Sequence, residues 1–377
     1  MNELINPFIS SDGALINSIF EWENQRSYYK EILTNILYGS VPSYDNQQLR
    51  YRILDSSSLY DGKAIKDHVA LYLFNDDLPL EINIIRPAIE EKVPVIVWGI
   101  GFFRGNFEKC PIEYEVVCNR HFALATYNRE QFAPDGPGEC TLTKRYPGYS
   151  WGRIAQWAFL GSRVADYLET TGYLMKGGLI VTGHSRGGKT SICTGIYDER
   201  FSIVHANGSG CCGFGALEIT GSRYGIGTGN CETIPEIYKS FPYWWCSDLS
   251  KYAETGKSLP VDAHIMRALI APRIVISTEG DGDIWSNPYG TLVAWRAAQE
   301  VFNFVGTSEN NGIHYREGGH QFGPSDWKAL IDFADYHLRD TGNAGEVVYF
   351  EKNWIENSDR FDWRNIKLHY SWGKNER

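Results

Sequence analysis

No stretch of this 377-residue chain is apolar for long enough to cross a bilayer as a helix, so a membrane span is not expected and a soluble protein is. Nor is there a basic run. Lys and Arg number 36 against 46 Asp and Glu, a formal net charge of −10, which argues against nucleic acid or an anionic membrane as partner. Cysteine is sparse: eight residues, with no C-x-x-C pair, make neither a disulfide framework nor a zinc site. With Cys211-Cys212 adjacent and the rest scattered, free thiols and no metal are expected. Residues 1–20 hold Glu3 and Asp12 but no Lys or Arg, so the charged start of a signal peptide is missing. That predicts a cytoplasmic protein as the chain stands, or a secreted one if a leader has been removed. No internal repeat is present.

What the chain has in abundance is material for a core, at 43% hydrophobic and 14% aromatic residues. An α/β protein of this size can be one domain. Ser18 to Leu37 carries Ile19, Phe20, Trp22, Tyr28, Tyr29, Ile32, Leu33, Ile36 and Leu37 at helical spacing and stops at Gly39 and Pro42, giving an N-terminal helical segment within residues 1–45. Three strands follow at Leu49–Leu54, Ile65–Phe74 and Leu80–Arg86, an antiparallel lead-in. Beyond them strands and helices alternate: strand Val93–Trp98, short helix Pro111–Asn119, strand His121–Tyr127, a Pro- and Gly-rich loop over 128–150, helix Trp151–Glu169 and strand Leu179–Thr182. Helix Lys189–Tyr197, strand Phe201–Ala206, strand Arg273–Thr278, helix Leu292–Val301, strand Ile313–Tyr315 and helix Trp327–Leu338 complete the series. Such alternation predicts a mostly parallel central sheet with helices on both faces, a three-layer sandwich. Residues 207–262, with eight glycines up to Gly229 and the block Phe241-Pro242-Tyr243-Trp244-Trp245, interrupt the rhythm and read as a cap-like insertion near the active site. The aromatic-rich segment 344–377 is expected to pack against the body.

The chemistry centres on Leu179-Ile180-Val181-Thr182-Gly183-His184-Ser185-Arg186-Gly187. A buried strand, a G-x-S-x-G turn and a helix start make a nucleophile elbow, which exposes a serine hydroxyl on a sharp turn beside free helical N–H groups. Glycines flank Ser185 because side chains there would collide with the neighbouring strand and helix. Serine needs a base oriented by a third group. In α/β-hydrolases these follow in the order Ser, acid, His. The acid loop is Glu279-Gly280-Asp281-Gly282-Asp283, following a strand, and any of its three carboxylates can serve. The base is His320, in the Gly-containing loop after the last core strand. His264, at a helix start, reads as structural; His184 is expected to pack beneath the turn; the remaining histidines lie on strands or helices away from the sheet edge. Arg186 and Lys189 put two cations at a helix N-terminus, which disfavours them by about 0.3–1 kcal/mol; they are either surface residues or part of the site. Gly99 to Gly105 spells G-x-G-x-x-x-G, but its spacing and position are wrong for a dinucleotide, so no cofactor is expected. It is instead read as a source of one backbone oxyanion donor, with the Arg186 N–H as the other.

These residues resemble the glucuronoyl esterases, carbohydrate esterase family 15. The likeness is carried by Gly183-His184-Ser185-Arg186-Gly187-Gly188-Lys189, Phe241-Pro242-Tyr243-Trp244, Leu259 to His264, Leu269 to Arg273, Asp283 to Gly290 and Gly319-His320. It implies an α/β-hydrolase fold and a serine carboxylester hydrolase acting on esters of glucuronic acid, such as 4-O-methyl-glucuronoyl esters joining xylan to lignin alcohols. By position it implies Ser185 as nucleophile, His320 as base and Arg186 in the oxyanion hole, with Lys189, Glu232 and Trp285 lining the sugar site. Family members carry the acid either just after the strand that follows the elbow helix, where this chain has Gly208, or before the Trp, where it has Asp283; the resemblance therefore implies Asp283. A cysteine pair that bridges elbow and histidine loop in many fungal members is replaced here by His184 and Gln321. Another carbohydrate deacylase, such as an acetyl-xylan esterase, is the rival activity. A non-catalytic carbohydrate binder, with Trp244, Trp245 and Trp285 as stacking platforms, is the rival class.

Overall fold

The computed structural model describes residues 4–43, 49–74, 78–103, 106–219, 231–255 and 257–339. The 344–377 segment and Gly221 to Gly229 of the insertion lie outside the described residues.

Eleven strands and nine α-helices are described. The strands are β1 (Arg50–Leu59), β2 (Ala64–Tyr72), β3 (Leu80–Pro87), β4 (Val93–Ile100), β5 (Phe102–Phe103), β6 (Asn106–Phe107), β7 (Ala123–Asn128), β8 (Leu174–Thr182), β9 (Ile203–Asn207), β10 (Ile274–Gly280) and β11 (Asn311–Arg316). The helices are α1 (Ile19–Leu33), α2 (Thr141–Arg145), α3 (Arg153–Glu169), α4 (Arg186–Tyr197), α5 (Ile234–Ser240), α6 (Ser250–Thr255), α7 (Ala263–Ala268), α8 (Pro288–Phe304) and α9 (Pro324–Arg339). Nine strands form one sheet in the order β1-β2-β3-β7-β4-β8-β9-β10-β11. β1, β2, β3 and β7 pair antiparallel; from β7 to β11 every pairing is parallel. The three-layer α/β architecture follows from how the strands divide their side chains. Val95, Val97, Leu179, Val181, Val204 and Val275 enter one core with α3, α4 and α8, while Ile96, Trp98, Ile180, Ile203 and Ile276 enter a second with α9 and the π-helical turn Glu115–Asn119. Consecutive strand residues point to opposite faces, so these runs are apolar throughout because both faces are covered.

Two sequence expectations change. The helix over Ser18–Leu37 is α1, capped by the Ser18 hydroxyl and Glu21 and continued as a π-helical turn over Thr34–Tyr38. Its buried stripe is Trp22, Gln25, Arg26, Tyr29 and Leu33; Ile19, Phe20 and Tyr28, counted as core by spacing, are exposed. Position around the helix, rather than residue type, decides which side chains meet the body. Trp244 to Cys246 of the insertion also pack into the body. Trp244 and Trp245 are buried in the larger core, and the Cys246 N–H donates to the Leu37 carbonyl (3.0 Å). A Cβ on Gly152 would stand 2.0 Å from the Trp244 carbonyl oxygen. Trp244 and Trp245 are therefore not stacking platforms for a ligand.

From β4 the chain first builds β7 on one side, then returns to build β8 on the other. In parallel sheets ligands bind outside the carboxyl ends of the strands at such a reversal. The end of β8 is where the elbow stands.

Candidate functional site

Ser185 caps α4 with φ 56° and ψ −120°, a left-handed conformation costly for any residue with a Cβ. The surroundings enforce it. Asn207, at the end of β9, accepts the Ser185 N–H (2.9 Å) and gives its own N–H to the Gly183 carbonyl (2.9 Å). Its amide donates to the Thr278 hydroxyl (2.8 Å), bolting the elbow to β10. A Cβ on Gly183 would lie 2.1 Å from the Gly187 carbonyl oxygen, and one on Gly188 3.1 Å from the Asn207 carbonyl oxygen. Gly183 is thus required by the turn, and a Cβ at Gly188 would have little room.

His320 lies in the loop after β11, and its Nδ1 is 2.6 Å from Oδ2 of Asp283, in the loop after β10. The Ser286 hydroxyl makes a second contact to Nδ1 (3.1 Å) and donates to the Gly208 carbonyl (3.3 Å). Among the described residues no hydrogen bond joins the imidazole to Ser185 Oγ, and Nε2 is left without a protein partner. The imidazole ring is 4.5 Å from that of His184, the residue beside Ser185. Burial would raise the Asp283 carboxyl, but hydrogen bonding and charge from His320 and the Ser286 contacts outweigh it and hold the pKa below the ordinary 3.8. A Cβ on Gly208 would stand 3.3 Å from His320 Nδ1 and 3.4 Å from Asp283 Oδ2. Both acid positions therefore face the same imidazole nitrogen, and in this chain only the second carries a carboxylate.

The other two carboxylates of the loop are occupied differently. Asp281 accepts the Gly318 N–H (2.9 Å) and so ties the acid loop to the histidine loop. Glu279 points into the protein and is fully buried, with neither oxygen hydrogen-bonded. Burial first, then the Asp283 and Asp326 charges, raise its pKa well above the ordinary 4.5. The folded protein holds this proton more tightly than the unfolded chain, so its contribution to stability is full below pH 4.5 and is lost as pH climbs towards the folded value. The Glu279→Gln protein should accordingly gain stability relative to the parent as pH rises from about 5 to about 8. Melting midpoints across that range test this; a difference that stays constant would refute it.

His184 does more than pack beneath the turn. Its Nδ1 contacts Oδ1 of Asn207 at 2.5 Å, and burial followed by the nearby His320 pushes its pKa down to about 3. It remains neutral at working pH and adds no charge beside the base. His264 is structural as expected, with Nε2 2.8 Å from the Ile5 carbonyl oxygen.

Arg186 and Lys189 separate in role. Lys189 is buried, which removes the surface reading, and its Nζ donates to the Ser209 carbonyl (2.7 Å) and to Glu232 Oε2 (3.2 Å). The Glu232 N–H in turn donates to the Trp285 carbonyl (3.0 Å). Trp285 is 50% exposed. Lys189, one helical turn from Ser185, is thus linked to Glu232 by its side chain, and Glu232 to the main chain of Trp285. The Arg186 guanidinium is held by Asp135 and lies 4.8 Å above the Trp244 ring and 5.3 Å from that of Phe241. Of the Gly99–Gly105 loop, Gly101 gives its N–H to Glu108 Oε1 (3.3 Å), and Arg129 donates to the Gly99 carbonyl (2.7 Å).

Asp135, Asn207 and Ser286 went unnoticed in the sequence. Asp135 sits in Pro134-Asp135-Gly136-Pro137, where an aspartate reads as a turn residue. Asn207 and Ser286 adjoin marked residues, but nothing in their spacing signals a partner.

The family model for fungal glucuronyl esterases matches residues 77–306. A carbohydrate esterase from an unidentified prokaryote is 29% identical over 90% of this chain and 90% of its own. A 4-O-methyl-glucuronoyl methylesterase of Thermothelomyces thermophilus is 26% identical over 93% of this chain and 85% of its own. Among solved structures, a glucuronoyl esterase of carbohydrate esterase family 15 from Caldicellulosiruptor kristjansonii superposes with a TM-score of 0.75 at 26% identity, covering 90% of this chain and 91% of that one. A promiscuous esterase of the same family from a marine bacterial metagenome gives 0.76 at 25%, covering 90% and 98%.

Proposed function

The chain belongs to the glucuronoyl esterase family of carboxylic ester hydrolases, and we propose that it cleaves esters of glucuronic acid, of the 4-O-methyl-glucuronoyl kind that joins xylan to lignin alcohols. The observation that carries the reading is the Lys189–Glu232 pair (3.2 Å), polar and buried, one turn along α4 from an elbow serine. A plain acyl esterase needs no such pair; a sugar acid with several hydroxyls does.

Ser185 attacks the C6 carbonyl while His320 Nε2 takes the hydroxyl proton. Asp283 accepts from Nδ1, fixing the tautomer that leaves Nε2 basic, and stabilises the imidazolium that forms. Negative charge developing on the carbonyl oxygen meets the N–H of Arg186, which as the first residue of α4 has no carbonyl inside the helix to bond, together with the Arg186 guanidinium. His320 then protonates the departing alcohol, and a water activated by the same imidazole releases the uronate from the acyl-enzyme. Because the scissile group is a neutral ester, a cation at residue 186 favours the transition state over the ground state. Lys189 and Glu232 hold sugar hydroxyls, and Trp285 covers the ring.

The test compares methyl 4-O-methyl-glucuronate with acetylated xylan. Hydrolysis of the glucuronate ester with little action on acetyl groups is expected; the reverse preference would identify a deacetylase. Arg186→Ala should lower kcat on the glucuronate ester by about 10²–10³, the usual cost of one oxyanion donor. Unchanged turnover would remove the guanidinium from the mechanism.

A further inference from the structure

The guanidinium of Arg186 does not hang free over the elbow; it is held from behind. Asp135 Oδ2 accepts from Arg186 Nη1, while Oδ1 of the same carboxylate accepts from the Trp244 indole N–H (2.7 Å) and the Tyr243 hydroxyl (3.2 Å). Trp244 and Phe241 stack with centres 3.9 Å apart and planes 5° apart, and the guanidinium lies against both rings, 4.8 and 5.3 Å from their centres. The carboxylate is itself fixed. Arg153, buried at the start of α3, donates to the carbonyls of Pro134 (2.9 Å) and Gly138 (2.6 Å) on either side of it. The Trp157 indole holds Ala133 (2.7 Å).

We propose that Asp135 is a positioning residue for the ester cleavage, fixing the Arg186 guanidinium in the oxyanion site before substrate arrives. This rests on the oxyanion role assigned above to Arg186. Arginine has many side-chain rotamers, and a donor stabilises a transition state well only if it is ordered beforehand. One carboxylate oxygen occupies one terminal nitrogen, and the Trp244–Phe241 pair lies against the guanidinium. The remaining N–H groups stay available for the substrate oxygen. Nothing about a simple loop tie requires the carboxylate to reach Arg186 as well as Trp244 and Tyr243.

Asp135→Asn separates the two functions. The amide oxygen can still accept from Trp244 and Tyr243, preserving the loop, but the amide nitrogen confronts Arg186 donor to donor. Turnover of methyl 4-O-methyl-glucuronate should fall about 10- to 100-fold, with KM changed less than about twofold. Combined with Arg186→Ala it should cause no further loss, because Asp135 acts only through that side chain. As a second variant, Asp135→Ala should recover kcat when formate is added as a replacement carboxylate. If Asp135→Asn turns over like the parent, or its loss multiplies with that of Arg186→Ala, or formate leaves Asp135→Ala unchanged, Asp135 does not position the guanidinium. A harmless Arg186→Ala would instead overturn the oxyanion reading and this proposal with it.

Discussion

Ser185→Ala is expected to lower kcat for methyl 4-O-methyl-glucuronate on the order of 10⁶-fold, leaving only what binding and the oxyanion donors supply. The size follows from the chemistry: without the hydroxyl there is no acyl-enzyme, and neither His320 nor Asp283 has a proton transfer left to assist. The fold should survive, since Ser185 is held through its backbone N–H by Asn207 and alanine can adopt the same turn at similar cost. Steady-state kinetics against the parent, with melting midpoints to confirm folding, decide it. A mutant retaining more than about a hundredth of parental activity would exclude Ser185 as nucleophile.

The second large effect falls on the acid. Asp283→Asn should cost on the order of 10⁴ in kcat. An amide facing Nδ1 can donate its N–H, which leaves the proton on Nε2, where the base must be free. Loss of charge adds to this, because the imidazolium formed during turnover would have no carboxylate beside it. The Ser286 hydroxyl also touches Nδ1 (3.1 Å), but as a neutral group it cannot replace that charge. In the parent, the Asp283 carboxyl is held below its ordinary range, so it stays ionised throughout the pH range in which an imidazole can act as base. A loss smaller than about tenfold in Asp283→Asn would move the orienting role elsewhere, to Asp281 or to a water.

Strands, helices and the elbow could be read from local order because their determinants are local. Alternating or continuous apolar runs set β2, β4, β8 and β10, Ser18 with Glu21 sets the start of α1, and Gly183 is demanded by the Gly187 carbonyl four residues on. The order of strand ends along the chain likewise placed the acid and histidine loops. Which of three carboxylates within five residues faces His320 was not a local matter. The register of β10 against β11 turns Glu279 into the core, gives Asp281 to the Gly318 N–H and leaves Asp283 for the imidazole.

By itself, then, the amino-acid order determined the layered α/β architecture, the elbow that carries Ser185 and the loops that carry Asp283 and His320, since each depends on periodicity or on turns only a few residues long. Only the folded chain decided that Asp135 grips Arg186, that Asn207 anchors the elbow, that Trp244 and Trp245 are buried, and that Lys189 meets Glu232 from the far side of an insertion. These are contacts between residues 20 to 109 positions apart. Their existence depends on how loops close over a finished sheet, and no pattern within either segment records the distance to the other.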